Sequence, residues 1–381
     1  MLWFGFGFSG FGQLGAGAEI TRNLPQPVQS RAADTEERRV RRAVPSWSYT
    51  ALVTDEGSLL LSGCIAGSPQ QFVRFPALGC RDVLPSEKYL IVLMKDGAEC
   101  WDVAGLDCEG ALPQPMWKKQ LAEGHHAGFP LVAEGYVLPQ PPFFRELPPT
   151  LQAQKMALGT EHAVMLTYAG ALLTWGSGRH GQLGHGDVED AAEPRIVEAL
   201  HGVAMREVAA GGWHSGAVSE SGDLYCWGWN ESGQLGLPSK SVQQEGEVTC
   251  DVRPALTSDR RTSCTSDFSM FAGVSAEARS TGCDDGDSDY IAIQAFPALI
   301  DLPQEKEAAI VSCGSRHTAA VTRCGELYTW GWGKYGQLGH GDSRTLDQPK
   351  RVEFFPQNNL CVKDVTCGHW NTYIMCVPGD Q

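Results

Sequence analysis

A glycine-rich decapeptide recurs along this chain and restricts its fold more than any other feature. Trp330-Gly331-Trp332-Gly333-Lys334-Tyr335-Gly336-Gln337-Leu338-Gly339 is one copy. Trp175 to Gly184 and Trp227 to Gly236 are two more, and Phe6 to Gly15 repeats the pattern at the N-terminus. A second element precedes the internal copies. Gly159-Thr160-Glu161-His162, Gly211-Gly212-Trp213-His214 and Gly314-Ser315-Arg316-His317 each lead through a short apolar run and a glycine to the Trp-Gly step. His162 to His214 is 52 residues, and so is Trp175 to Trp227. Alternating apolar residues punctuated by glycine read as short antiparallel strands and tight turns. A four-stranded sheet with its turns fits that period, so one repeat is one propeller blade.

The ends of the chain carry complementary halves of a repeat. Residues 1–15 hold only the second half, and 367–377 hold only the first. This predicts an all-β, seven-bladed propeller whose closing blade is shared by the N- and C-termini, which removes exposed sheet edges. Blades are expected at Tyr49, Tyr89, near Phe129 to Val137, at His162, His214 and His317, and at the split closure. The step from His214 to His317 is 103 residues. Residues 238–290 carry ten acidic and five basic residues without a Trp-Gly signature, and are expected to be a disordered acidic insertion. Residues 139–150 form a proline-rich strap. Five prolines in 139–149 predict an extended, polyproline-like segment.

Composition narrows function. No apolar run reaches membrane-span length, and the apolar N-terminus is broken by glycines and lacks a basic leader. Thirteen scattered cysteines without a Cys-x-x-Cys predict reduced thiols and no structural zinc. The formal charge of −15 argues against direct nucleic-acid binding and favours basic partners such as histone tails. Arg38, Arg39, Arg41 and Arg42 form a small basic cluster. Glu36 and Glu37 dilute it, so it reads as a solvated loop between blades.

Several motifs resemble chemistry. Gly176-Ser177-Gly178-Arg179-His180-Gly181 and Gly331 to Gly336 match a dinucleotide fingerprint, but no helix pattern follows them. His185-Gly186-Asp187 and His340-Gly341-Asp342 match two ligands of an iron triad, yet both sit at one repeat position. His162, His214 and His317 also occupy one slot per blade and are expected to stitch strands within their blades. Trp47, Trp213 and Trp370 precede that slot and read as packing between blades. No catalytic group, cofactor site or metal site is predicted.

The linked Gly, His, Trp and Gln-Leu-Gly positions resemble the regulator-of-chromosome-condensation family of seven-bladed propellers, most clearly over 156–237 and 308–345. The resemblance implies nucleotide exchange on a small GTPase as one expectation, because that is the family's founding activity. Gly212-Trp213-His214-Ser215 is similar to a motif of the family's plant ultraviolet receptors, which implies light sensing as another. Within the family the chain is most similar to members that partner a Jumonji-type 2-oxoglutarate oxygenase. That implies a non-enzymatic chromatin scaffold in the nucleus, on chromosomes and also in the cytoplasm. Its implied roles concern histone methylation state, satellite-repeat repression, spindle organisation and chromosome segregation. The propeller itself is expected to be monomeric. Arg145 is the only Arg or Lys between Lys119 and Lys155. Held between two proline pairs, it is the candidate for hydroxylation by that oxygenase, with Phe143 and Phe144 as partner-binding anchors beside it.

Overall fold

The computed structural model describes residues 1–15, 19–28, 39–106, 114–121, 128–242 and 290–379. The chain opens with β1 (Leu2–Phe8) and β2 (Thr21–Pro27), whose partners lie at its far end. Blade 1 holds β3 (Val40–Pro45), β4 (Tyr49–Thr54), β5 (Ser58–Ile65) and β6 (Ser68–Leu78). Blade 2 holds β7 (Asp82–Pro85), β8 (Tyr89–Leu93), β9 (Gly97–Asp102) and β10 (Trp117–Gln120). Blade 3 has three strands among the described residues: β11 (Leu131–Val132), β12 (Gly135–Val137) and β13 (Phe144–Glu146).

Blade 4 holds β14 (Ala153–Leu158), β15 (His162–Thr167), β16 (Leu172–Gly176) and β17 (Ala191–Ile196). Blade 5 holds β18 (Met205–Ala210), β19 (His214–Ser219), β20 (Leu224–Trp229) and β21 (Ile293–Ile300). Blade 6 holds β22 (Ala308–Cys313), β23 (His317–Thr322), β24 (Leu327–Gly331) and β25 (Leu346–Arg351). The ring closes when β26 (Leu360–Cys367) and β27 (Asn371–Pro378) pair with the N-terminus in the order β2-β1-β27-β26. Trp3 seals the seam by donating its indole N–H to the Val40 carbonyl of blade 1 (2.8 Å). The seven sheets and the split closure match the sequence expectation. No helix among the described residues is long and apolar enough to cross a membrane.

The long step between His214 and His317 lies inside blade 5. β20 and β21 are neighbours in one sheet, and the Ile291 N–H bonds the Pro238 carbonyl at 3.0 Å. The expected insertion therefore interrupts one blade and replaces none. Its residues 243–289 lie outside the described residues.

The repeat residues explain themselves in the contacts between blades. Each Trp-Gly glycine faces the histidine slot across the sheet. Gly176, Gly228 and Gly331 have φ of 108°, 111° and 102°, and a Cβ on them would meet the histidine Cα at 2.7–2.8 Å. Only glycine tolerates both conditions. The last glycine of Gln-Leu-Gly abuts the aromatic side chain of the next blade: Gly184 meets Trp227, Gly236 meets Trp330, and Gly339 meets Phe6. Phe6 is thus the closing blade's counterpart of the tryptophans, and it is fully buried.

The histidines stitch blades to one another, which corrects the expectation of bonds within a blade. His162 Nε2 lies 2.8 Å from Ser215 Oγ of blade 5, His214 Nε2 lies 2.9 Å from Thr318 Oγ1 of blade 6, and His317 Nε2 lies 3.0 Å from Thr372 Oγ1 of blade 7. Each hydroxyl has a single proton, and it goes to a glutamine carbonyl: Gln182 (2.8 Å), Gln234 (2.6 Å) and Gln337 (2.8 Å). The histidine must then donate, which assigns the neutral Nε2–H tautomer and leaves Nδ1 bare and buried. The neighbouring blade was invisible in the sequence because one repeat does not reveal which sheet it touches.

Closure makes the first strand indispensable. Removing residues 1–15 deletes β1 from between β2 and β27 and empties the Phe6 site, so the truncated protein should aggregate or lose much of its thermal stability. Size-exclusion chromatography and a melting curve check this, and a monomer with unchanged Tm contradicts it.

The histidine relay also sets an acid limit. Burial lowers His162 to about 4. It lowers His214 to about 3, with the nearby His317 and His162 adding to the effect. His317 falls to about 3 by burial alone. Unfolding releases each to its ordinary value of 6.5. The unfolded chain therefore binds more protons below pH ~6.5, and stability falls as pH drops from there toward the folded values. Each histidine contributes up to ~1.4 kcal/mol per pH unit within that window. Urea unfolding of His214→Gln, whose amide can still donate to Thr318, should show a shallower loss between pH ~6.5 and ~4 by about one proton. An unchanged slope contradicts the relay.

A candidate partner-binding face

The sequence nominated Phe143, Phe144 and Arg145, and they do not behave alike. The expected extended strap is a turn followed by a strand. The Phe143 N–H bonds the Gln140 carbonyl (2.9 Å), Phe143 has φ 65°, and the Pro141-Pro142 peptide is cis. β13 then pairs with β12, placing Tyr136 opposite Arg145. Two effects overrule the proline composition. One is this backbone pairing, and the other is burial of Phe143 against Tyr89 (5.0 Å between ring centroids) and Trp117 (5.9 Å). Phe143 is only 8% exposed, so it anchors the strap to blade 2 and offers nothing to a partner. Phe144 is half-buried beneath the Lys119 ammonium at 3.8 Å.

Arg145 and Glu146 are exposed on the outermost strand, and Arg145 forms no ion pair among the described residues. Register explains this freedom. Arg195 takes the equivalent place in blade 4, opposite Thr174, and reaches Asp187 at 3.4 Å. The blade 3 turn is shorter and supplies no such carboxylate.

The motifs with apparent chemistry are parts of turns. After the Gly176 to Gly181 fingerprint the chain runs into β17, not a helix. His185 Nε2 pairs with Thr174 Oγ1 (2.9 Å) and His340 Nε2 with Thr329 Oγ1 (3.0 Å), while Asp187 and Asp342 accept from N–H groups two residues onward. Among the described residues no three His, Cys, Asp or Glu side chains converge as a metal site would require. No disulfide joins the cysteines among them. A channel of about 890 Å³ runs along the axis between the inner strands.

One end of the propeller carries an aromatic belt across five consecutive blades. Trp213 and Trp229 meet edge to face at 5.3 Å, with His180 of blade 4 against both and the Arg316 guanidinium 4.5 Å over Trp229. Burial lowers the pKa of Arg316 and of His180. In the next blades Trp332 meets Trp370 at 4.7 Å and Tyr335 at 5.0 Å, Trp370 meets Trp47 at 6.0 Å, and Phe8 meets Tyr335 at 5.2 Å. Most of these rings are half-exposed. Trp47, Trp213 and Trp370 thus fall into two groups, with Trp213 apart from the other two. The sequence reading missed Trp229, Trp332, Tyr335, His180 and Arg316. Four of them sit in the loop after the third strand, or at the end of that strand. Only the fold shows that this loop emerges beside the loop before the histidine.

The belt is tied to the Arg145 segment. The exposed Glu87 carboxylate accepts from Ser46 Oγ, Trp47 N, Ser48 N and Ser48 Oγ at 2.6–3.1 Å, fixing the Trp47 loop. The adjoining Ser86 Oγ donates to the Pro139 carbonyl at 3.1 Å. Clustered Trp, Tyr and Arg side chains, half-exposed and rigidly held, are the composition of a protein-docking surface.

Comparison with known proteins agrees with the repeat architecture. The Regulator of chromosome condensation (RCC1) repeat matches residues 169–218, 221–255 and 324–375. RCC1 domain-containing protein 1 of Homo sapiens is 46% identical over 98% of this chain and 96% of its own length. The Mus musculus protein of that name is 44% identical over 100% of this chain and 98% of its own. The Ultraviolet-B receptor UVR8 of Arabidopsis thaliana is 32% identical over 58% of this chain and 50% of its own length. The solved structure of Prp20p from Saccharomyces cerevisiae shares the fold, with a TM-score of 0.67 at 18% identity over 100% of this chain and 92% of that one. Blade number, split closure, repeat signature and whole-length identity together show that this chain belongs to the regulator-of-chromosome-condensation (RCC1) repeat family.

Proposed function

We propose that this chain is a non-enzymatic, chromatin-associated scaffold that holds a Jumonji-type 2-oxoglutarate oxygenase on its aromatic face and presents Arg145 to it. The observation that carries the reading is the isolation of Arg145: exposed, without an ion pair among the described residues, and on an edge strand whose preceding residue, Phe143, is locked into the core. An oxygenase must draw one side chain to its iron. An edge strand with a free outer side detaches more readily than a central one, because only one row of backbone bonds must open. The turn before it is tethered to the loop that carries Trp47, which brings the docking surface and the modified residue under one partner. The expected setting is the nucleus and chromosomes, with a share in the cytoplasm, where the pair would influence histone methylation state, satellite repression, spindle organisation and chromosome segregation. Nucleotide exchange on a small GTPase is the second reading, since it too would use an exposed loop face of this kind.

Affinity purification from cells should recover the oxygenase with the wild-type chain. Trp229→Ala and Trp332→Ala together should reduce that recovery at least about tenfold while leaving the fold intact, because central aromatic anchors dominate such interfaces. With purified oxygenase, iron and 2-oxoglutarate, tandem mass spectrometry should place one added oxygen on Arg145. Arg145→Ala should abolish it with Tm almost unchanged. Oxidation confined to methionines would sink the assignment, and release of nucleotide from a GTPase by the chain alone would favour the second reading.

A further inference from the structure

The inner strands start with a β-bulge at the mouth of the channel opposite the aromatic face. The ladder skips one residue between Val40 and Arg42, Ala153 and Lys155, Met205 and Glu207, Ala308 and Ile310, and Val362 and Asp364. The skipped residues are Arg41, Gln154, Arg206, Ala309 and Lys363. Blade 2 repeats the arrangement with Arg81, whose N–H bonds the carbonyl of Leu93, the residue that Asp82 opposes. A bulge turns its extra side chain out of the ladder. Here four of the six extra residues are basic, and all four are exposed. Of the cluster Arg38, Arg39, Arg41 and Arg42, Arg41 and Arg42 lie in β3 against the channel and not in the solvated loop the sequence suggested, while Arg39 precedes that strand and Arg38 lies outside the described residues.

The residue after each bulge faces the channel, and there the charges compensate. Arg42 pairs with Asp82 at 2.5 Å, and Lys155 pairs with Glu207. Asp364, half-buried on the wall beside Lys363, forms no close ion pair among the described residues, and feels the charges of Arg42 and Lys155 at longer range. By contrast Arg41, Arg81, Arg206 and Lys363 form no ion pair with any described residue. Arg41 instead donates to the Arg81 carbonyl at 2.6 Å, which holds these two guanidinium-bearing segments side by side. Blades 7, 1 and 2 are consecutive in the ring, so Lys363, Arg41 and Arg81 form one arc, with Arg206 across the mouth.

We propose that this basic arc docks a short acidic peptide at the channel mouth. Charge complementarity selects the class of ligand. Unpaired guanidinium groups bind carboxylates through forked hydrogen bonds, and the arc gathers, among the described residues, four exposed cations that form no ion pair. Geometry selects a peptide over a nucleic acid. Duplex DNA carries a charge every ~1.7 Å along a long rod and demands a matching basic track. The turns surrounding the arc carry Asp55, Glu56, Asp96 and Glu220, and the whole chain has a formal charge of −15. A rod would press against those acids. A short peptide satisfies the arc and leaves the turns uncovered.

The test is fluorescence anisotropy with a labelled hexaglutamate peptide at about 50 mM and about 200 mM salt. Binding should be measurable at the lower salt and weaken at the higher. The combined variant Arg41→Ser, Arg81→Ser, Arg206→Ser and Lys363→Ser should lose at least about tenfold in affinity at the lower salt. The rim variant Arg195→Ser with Arg344→Ser should bind as wild type. Should the fourfold variant fail to fold, Arg41→Gln and Arg206→Gln singly should each weaken binding about two- to threefold. The proposal is overturned by an absence of binding at low salt. Equal loss in the rim variant also overturns it. So does a hexathymidylate that binds more tightly than the peptide and loses affinity in the same fourfold variant.

Discussion

The propeller depends on a buried polar relay that passes from one blade to the next. A histidine donates to a hydroxyl of the following blade, and that hydroxyl donates back to a glutamine carbonyl of the histidine's own blade. Every group in the relay is buried, so a missing partner would leave an unsatisfied polar atom in the interior. The relay orients neighbouring sheets while the Trp and Gly contacts supply apolar area. Where the histidine is absent, another group takes over the same task. At the closing seam the Tyr373 hydroxyl donates to the Gln13 carbonyl and meets Thr50 Oγ1 of blade 1. Between blades 1 and 2 the Tyr49 hydroxyl donates to the Ser86 carbonyl. Blades 1 and 2 have therefore lost the repeat signature without losing bonds across these two interfaces.

This substitution explains which parts of the fold could be read from the chain. The Trp-Gly and Gln-Leu-Gly positions are fixed by backbone geometry and close approach, so they recur in recognisable form and give the blade period. Residues 1–15 and 367–377 announce the split blade because each carries half of that geometry. The strap was harder. Its prolines favour extended backbone locally, but Phe143 gains burial beside Tyr89 and Trp117 only if the chain turns first. The histidine partners were also hidden, since Ser215, Thr318 and Thr372 are unremarkable residues until the next blade is in place. The basic residues at Arg41 and Arg81 look like ordinary surface charge, because a bulge leaves no mark in composition. The separation of Arg145 from other cations could be read directly because it is local: the nearest cations in sequence are Lys119 and Lys155.

The relay also determines where this fold can vary. The side-chain oxygens of Gln13, Gln182, Gln234 and Gln337 accept the N–H of Phe11, His180, Ser232 and Tyr335, at 2.8–3.0 Å. His180 and Tyr335 belong to the aromatic belt, and Phe11 packs against its Phe8 at 5.6 Å. Trp213, Arg316 and Trp370 each lie one residue before a slot occupied by His214, His317 or Asn371. The belt is built from residues whose backbone the relay holds but whose side chains the relay does not use. Such positions can change identity without disturbing the contacts between blades, and their side chains lose little entropy on binding because the loops are already ordered. The same reasoning applies at the opposite mouth, where a bulge residue adds nothing to the ladder and is free to carry charge. Net charge and overall composition therefore describe this molecule poorly. The positions that the rigid ring leaves unassigned are aromatic at one end and basic at the other.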